Sequence, residues 1–220
     1  MTVETAPPST RRIGVDGVWL AGDVVVPTGA KGIVAFAHGS GSSRMSPRNR
    51  FVADALNEAG LATLLIDLLT PAEDAADRDT GQFRFDIPML ARRLTAVVDA
   101  LPRDVQLRTL RIGLFGASTG AAAALIAAAE RPALVRAVVS RGGRPDLAGD
   151  ALERVSAPSL LIVGGADSEV IALNRSALRR LSARTHEMRI VPGATHLFEE
   201  PGALATVAHL ASAWFRRHLG

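Results

Sequence analysis

Short apolar runs recur along this chain, separated by longer stretches in which apolar residues return with helical spacing. The runs are residues 32–37, 62–66, 112–115, 135–139, 160–163 and 188–191. Most are aliphatic throughout, without polar alternation, as in strands buried on both faces of a helix-covered parallel sheet. Helical spacing covers residues 49–59, 86–101, 118–130, 170–181 and 204–218. Gly60 suits the residue after a helix end, and Pro88 suits a first helical turn. The alanine-rich third helix stops before Pro132. Residues 12–27 read as two antiparallel strands turning at Asp16–Gly17, with a valine-rich second strand. Strands alternating with helices predict an α/β class. The expected architecture is a mostly parallel sheet of about eight strands with helices on both faces.

Composition narrows the picture. The 220 residues are 48% hydrophobic, which suits one globular domain. Residues 1–10, with Pro7–Pro8, are expected to form a flexible tail, and 11–220 a single domain. There is no cysteine, which excludes disulfides, thiolate metal ligands and a cysteine nucleophile. Lys31 is the sole lysine, and the net charge is +3. Basic residues are dispersed among acids without interleaved aromatics, so no nucleic-acid surface is expected. Arg11–Arg12 is followed by Asp16 and Asp23 rather than an apolar run, so it does not read as an export signal. No apolar stretch has membrane-spanning length. A cytoplasmic protein without membrane contact is expected; the oligomeric state stays open.

In α/β sheets, reactive groups gather beyond the carboxyl ends of the strands. There the sequence places Gly116-Ala117-Ser118-Thr119-Gly120, a G-x-S-x-G pattern between a strand and a helix. That turn exposes a serine hydroxyl beside a helix amino terminus, which suits a nucleophile. The pattern calls for an acid and then a histidine downstream. Asp167 follows the strand 160–163 through a glycine turn, and His196 follows the last strand. His196 would take the serine proton and Asp167 would orient its ring. Glu169 and Asp146 are alternative acids. His38, His186, His209 and His218 do not occupy the required position. The loop His38-Gly39-Ser40-Gly41-Ser42-Ser43 suits an oxyanion hole. Its expected donors are the N–H groups of Ser40 and Thr119, with Gly39 the alternative to Ser40. His38 reads as a loop brace. Without a Gly-Lys-Ser/Thr ending, the loop is not a nucleotide cradle.

With these motifs the chain resembles the α/β-hydrolase superfamily over nearly its whole length, and within it the dienelactone-hydrolase-related branch. The segments at 38–44, 65–70 and 140–147 are similar to a bacterial subgroup of that branch. Some members of the subgroup are fused to phosphoribosyltransferase-like domains; one domain is expected here. Dienelactone hydrolases use a cysteine nucleophile, whereas this position is Ser118, which implies serine-esterase chemistry. The resemblance implies a small-molecule ester substrate, an acyl-enzyme, and no cofactor or metal. The alternatives are a non-catalytic binding protein and an acyltransferase with the same triad. The short connection between residues 139 and 160 leaves little room for a lid. Arg141 and Arg144 are expected on the loop after a strand end, with Arg141 a possible contact for an anionic substrate. Asp67 and Arg44 are expected to bridge loops.

Overall fold

The structure, a computed structural model, describes residues 8–220. The strands are β1 (Ser9–Val15), β2 (Val18–Val25), β3 (Gly32–Ala37), β4 (Ala62–Ile66), β5 (Arg111–Ala117), β6 (Val135–Arg141), β7 (Ser159–Gly164) and β8 (His186–Val191). The helices are α1 (Pro47–Glu58), α2 (Pro71–Thr80), α3 (Ile87–Ala100), α4 (Thr119–Glu130), α5 (Ser168–Leu178) and α6 (Ala203–Leu219). They form one 8-stranded sheet in the order β1-β2-β4-β3-β5-β6-β7-β8. β1 pairs with β2, and β2 with β4, antiparallel; every other pairing is parallel. This is the mixed, mostly parallel sheet that the apolar runs predict.

The layers follow from the two-residue strand period. Ile33, Ala35 and Ala37 of β3 pack with α3 and α4 on one face. Val34 and Phe36 pack with α1 and α6 on the other. All six residues of β3 are buried, which explains the absence of polar alternation. The alanines of α4 lie flush between the sheet and α3, so this helix is apolar on nearly every side.

Two expectations are corrected, and one helix is added to those predicted. Ser9 and Thr10 lie in β1, paired with Val24 and Asp23, rather than in a tail. The rest of the expected tail, residues 1–7, lies outside the described residues. The segment after β4 contains α2, which hydrophobic periodicity does not reveal. Its residues are mainly polar, and Asp77 is its only fully buried side chain. Local chemistry forms the helix instead. Thr70 Oγ1 accepts from Glu73 N–H, Glu73 accepts from Thr70 N–H, and Pro71 occupies the first turn. The helix predicted from 118 begins at Thr119, leaving Ser118 on the turn. Between β6 and β7 the chain makes only 3-10 turns over Pro145–Arg154, so no lid rises there. Among the described residues no helix is long and apolar enough to cross a membrane.

Candidate active site

β5 ends beneath Ser118, whose backbone sits at φ 51° and ψ −121°. Positive φ is costly for a residue with a β-carbon, so surrounding contacts must enforce the turn. The Ser118 N–H donates to Arg141 C=O at 3.2 Å, and its C=O accepts from Arg144 N–H at 3.0 Å. The flanking glycines permit the sharp bend. A β-carbon on Gly116 would lie 2.4 Å from Ala121 Cα, and one on Gly120 would lie 2.3 Å from Ala37 C=O. Ser118 occupies the cap position of α4, yet its hydroxyl makes no capping bond. It instead faces His196, with Oγ 3.3 Å from Nε2.

His196 and Asp167 come from neighbouring strand ends. Gly165 N–H donates to Val191 C=O, and Ala166 N–H to Ala194 C=O, at 2.8 and 2.9 Å. These bonds stitch the loop after β7 to the loop after β8. Asp167 Oδ2 consequently lies 2.7 Å from His196 Nδ1. Asp167 caps α5 without bonding its N–H groups, which leaves the carboxylate for the ring. Carboxylate to imidazole to hydroxyl therefore forms one continuous chain. It can hold the ring with Nδ1–H donating to Asp167 and the Nε2 lone pair toward Ser118. The alternative acids lie elsewhere: Asp146 accepts two bonds from Arg144, at 2.8 and 2.9 Å, and Glu169 belongs to the first turn of α5.

The loop after β3 meets the serine turn from the other side. A β-carbon on Gly39 would lie 3.0 Å from Ser118 Cβ, so its backbone abuts the serine. Ser40 Oγ and Thr119 Oγ1 share a hydrogen bond of 3.0 Å, linking this loop to the start of α4. The first N–H groups of α4 have no intrahelical partners, and Thr119 heads that turn. His38 is buried, and burial lowers its pKa despite the bond to Gly39 and nearby Asp67 and Asp74. Its Nε2 accepts from Leu68 N–H at 3.0 Å while Nδ1 faces Gly39 C=O at 3.0 Å. A neutral ring satisfies both contacts and ties the loop to the residues following β4. Asp67 accepts from Arg44 N–H at 2.7 Å and pairs with its guanidinium, as the sequence predicts.

Arg141 departs from its expected place. It is the last residue of β6, not a loop residue, and is only 7% exposed. Burial, and secondarily the charge of Arg48, pushes its pKa down to about 10. Arg144, also predicted for the loop, pairs with Asp146.

A cleft of about 630 Å³ opens beside Ser40, lined by Ser43, Ser46, Arg48, Asp74 and Arg84 among others. Its α2 wall was not legible from periodicity, although Thr70-Pro71-Ala72-Glu73 is a readable helix start. Asp77 anchors that wall. It accepts from Phe83 N–H at 2.7 Å and Arg84 N–H at 3.0 Å, and holds Arg84 Nε at 2.6 Å. Burial opposes ionisation of Asp77, but the donors from Arg84 and Phe83 outweigh it and its pKa falls. Arg84 C=O in turn faces Ser40 Oγ at 3.4 Å, so the wall reaches the loop beside Ser118. Among the described residues no three His, Asp or Glu side chains form a group suited to a metal ion.

A mostly parallel 8-stranded sheet, with a strained serine turn after β5 and an acid and a histidine after later strands, defines an α/β-hydrolase fold. The chain belongs to the dienelactone hydrolase family, whose sequence profile matches residues 20–217. It is similar to a dienelactone hydrolase of Anabaena variabilis, at 57% identity and a TM-score of 0.95 over 97% of this chain and 99% of that one. Est1E of Butyrivibrio proteoclasticus shares the fold at 16% identity, with a TM-score of 0.78 over 95% of this chain and 98% of that one. The chain is also 56% identical over 200 residues to a Mycobacterium tuberculosis protein provisionally named a phosphoribosyl transferase. That match covers 91% of this chain and 44% of the relative, so the chain spans under half of the relative's length.

Proposed function

We propose that the protein hydrolyses small carboxylic esters through an acyl-enzyme on Ser118. The observation carrying this reading is the unbroken chain from Asp167 Oδ2 to His196 Nδ1 at 2.7 Å and from His196 Nε2 to Ser118 Oγ at 3.3 Å. In the first half-reaction, Ser118 Oγ bonds to the substrate's carbonyl carbon while His196 Nε2 takes the hydroxyl proton. The carbonyl oxygen becomes an oxyanion held by the N–H groups of Thr119 and of Ser40, with Gly39 in the same loop. The C–O bond to the alcohol then breaks as His196 returns the proton to the leaving oxygen. Water attacks the acyl-enzyme by the same route, releasing the acid and restoring Ser118. Asp167 orients the ring and stabilises the transient imidazolium.

The short segment between β6 and β7 favours compact substrates over long-chain lipids. The transferase name of the Mycobacterium tuberculosis relative is assigned, in this reading, to the part of that protein that this chain does not match. The cysteine-free sequence suits a reducing cytoplasm.

The test is hydrolysis of short p-nitrophenyl esters by the wild type and Ser118→Ala, with a chelator present. Turnover by the wild type and its loss in Ser118→Ala is expected. Equal turnover by the two proteins, or none by a folded wild type, rejects the assignment.

A further inference from the structure

β8 ends one side of the sheet. It pairs with β7, and among the described residues no strand pairs with its outer edge. The direction of each backbone group follows from the inner ladder. Ser159 N–H donates to Thr185 C=O, and Gly165 N–H to Val191 C=O. The odd-numbered residues of β8 therefore turn their N–H and C=O groups toward β7. His186, Met188 and Ile190 aim theirs outward, as a row of donors and acceptors with no strand beyond them.

The side chains of β8 divide between the two faces of the sheet. Val191 belongs to the core beneath α1 and α6, which places Glu187 and Arg189 on that face. Met188 and Ile190 lie on the opposite face and belong to neither core cluster, and Ile190 is 42% exposed. An exposed edge is usually guarded by a proline, a bulge or repelling charge. The run His186-Glu187-Met188-Arg189-Ile190-Val191 has no proline, and its register with β7 is continuous. Its two formal charges have opposite signs, and Arg189 Nη2 donates to Glu187 Oε2 at 2.6 Å within the strand.

We propose that β8 is a self-association edge, on which a second copy of this chain pairs antiparallel about a two-fold axis through Met188. In that register the outward groups of Met188 bond those of the partner's Met188, and the groups of Ile190 bond those of the partner's His186. Between these hydrogen-bonded pairs lies the closer, non-hydrogen-bonded pair, Glu187 against the partner's Arg189, repeated by symmetry. Charge selects this register. Centring one residue earlier sets Glu187 against the partner's Glu187, and one residue later sets Arg189 against the partner's Arg189. On the other face, Met188 meets the partner's Met188, and the pairing covers apolar surface that the monomer leaves outside its cores. Two 8-stranded sheets then join into one. The joined strands run in opposite directions, so the two serine turns lie at opposite ends of the sheet. The pairing is independent of the chemistry assigned to Ser118.

Sedimentation velocity of the wild type, at concentrations up to about 100 μM, should show a reversible dimer. Glu187→Arg and Arg189→Glu, each alone, turn both symmetry-related pairs from attraction to repulsion. Each should raise the dimer Kd about thirtyfold. An equimolar mixture of these two variants restores opposite charges at both pairs and should dimerise as the wild type does. The double exchange Glu187→Arg/Arg189→Glu should dimerise equally well. Circular dichroism melting establishes that each variant is folded. A wild type that stays monomeric, or single variants that dimerise as tightly as the wild type, overturns the proposal. So does the absence of recovery in the mixture and in the double exchange.

Hydrogen exchange locates the interface without any variant. Residues 186–191 should exchange more slowly at high than at low protein concentration, as the outward N–H groups become bonded. Unchanged exchange there in a dimeric sample puts the interface on another surface and overturns the proposal. Slow exchange at every concentration in a monomeric sample gives the edge to another segment of the same chain, and overturns it as well.

Discussion

Replacing Asp167 with asparagine tests the assignment of the acid. The two side chains are nearly isosteric, so the 2.7 Å contact to His196 Nδ1 can persist. Its sense changes. The carboxylate accepts the Nδ1 proton, whereas an asparagine amide presented to Nδ1 donates one. The imidazole proton then moves to Nε2, which faces Ser118 Oγ at 3.3 Å and loses its capacity as a base. Stabilisation of the imidazolium is lost as well. In the Ser-His-Asp triad of a serine protease this exchange lowers kcat by about 10⁴. His196 is partly exposed here, with a side-chain accessibility of 39%, so water offers the ring an alternative partner. We therefore expect a loss of roughly 10³ to 10⁴ in kcat, or about 4–5.5 kcal/mol of transition-state stabilisation. KM and the melting temperature should change little. The assay is p-nitrophenyl acetate hydrolysis with active-site titration, run beside Asp146→Asn and Glu169→Gln. Asp146 is already held by Arg144, so its variant should stay within about threefold of wild type. Retention of more than a tenth of wild-type kcat by Asp167→Asn, or a large loss in either control instead, refutes the reasoning.

Three further outcomes follow from the geometry. Ser118→Gly removes the steric cost of a φ of 51° and should stabilise the fold by about 1 kcal/mol in urea while abolishing ester turnover; a lower stability contradicts enforced strain. Gly120→Ala drives a β-carbon to within 2.3 Å of Ala37 C=O and should cost about 3 kcal/mol, seen as a lower urea midpoint; a wild-type midpoint contradicts the packing. The Glu73 carboxyl is held at about 2 rather than 4.5, chiefly by Arg93. Because its folded pKa is depressed, its contribution is complete above pH 4.5 and is lost as pH falls toward 2; it amounts to about 2–3 kcal/mol. Glu73→Gln should flatten the fall in stability over that window, and an unchanged slope assigns acid sensitivity elsewhere.

The sequence alone determines what depends on neighbours in the chain. Unalternating apolar runs reveal doubly buried strands, because both sides of such strands meet helices. The G-x-S-x-G turn is legible because its glycines and serine lie within one strand-to-helix connection. The order Ser118, Asp167, His196 is readable because each follows a strand end, although its meeting at one hydrogen-bonded chain is a tertiary fact. Only the folded structure brings Ser40 to Thr119, Arg84 to Asp77, and Arg93 to Glu73. Each is a pairing of polar groups across elements, and hydrophobic periodicity carries no trace of it. α2 escapes the same reading because its capping, rather than an apolar face, forms it. Arg141 shows the difference most sharply. Its sequence neighbours suggest an exposed loop, but the register of β6 against β5 and the first turn of α1 bury its guanidinium. Burial is decided by what packs over a side chain, and for Arg141 those residues lie far away in the sequence.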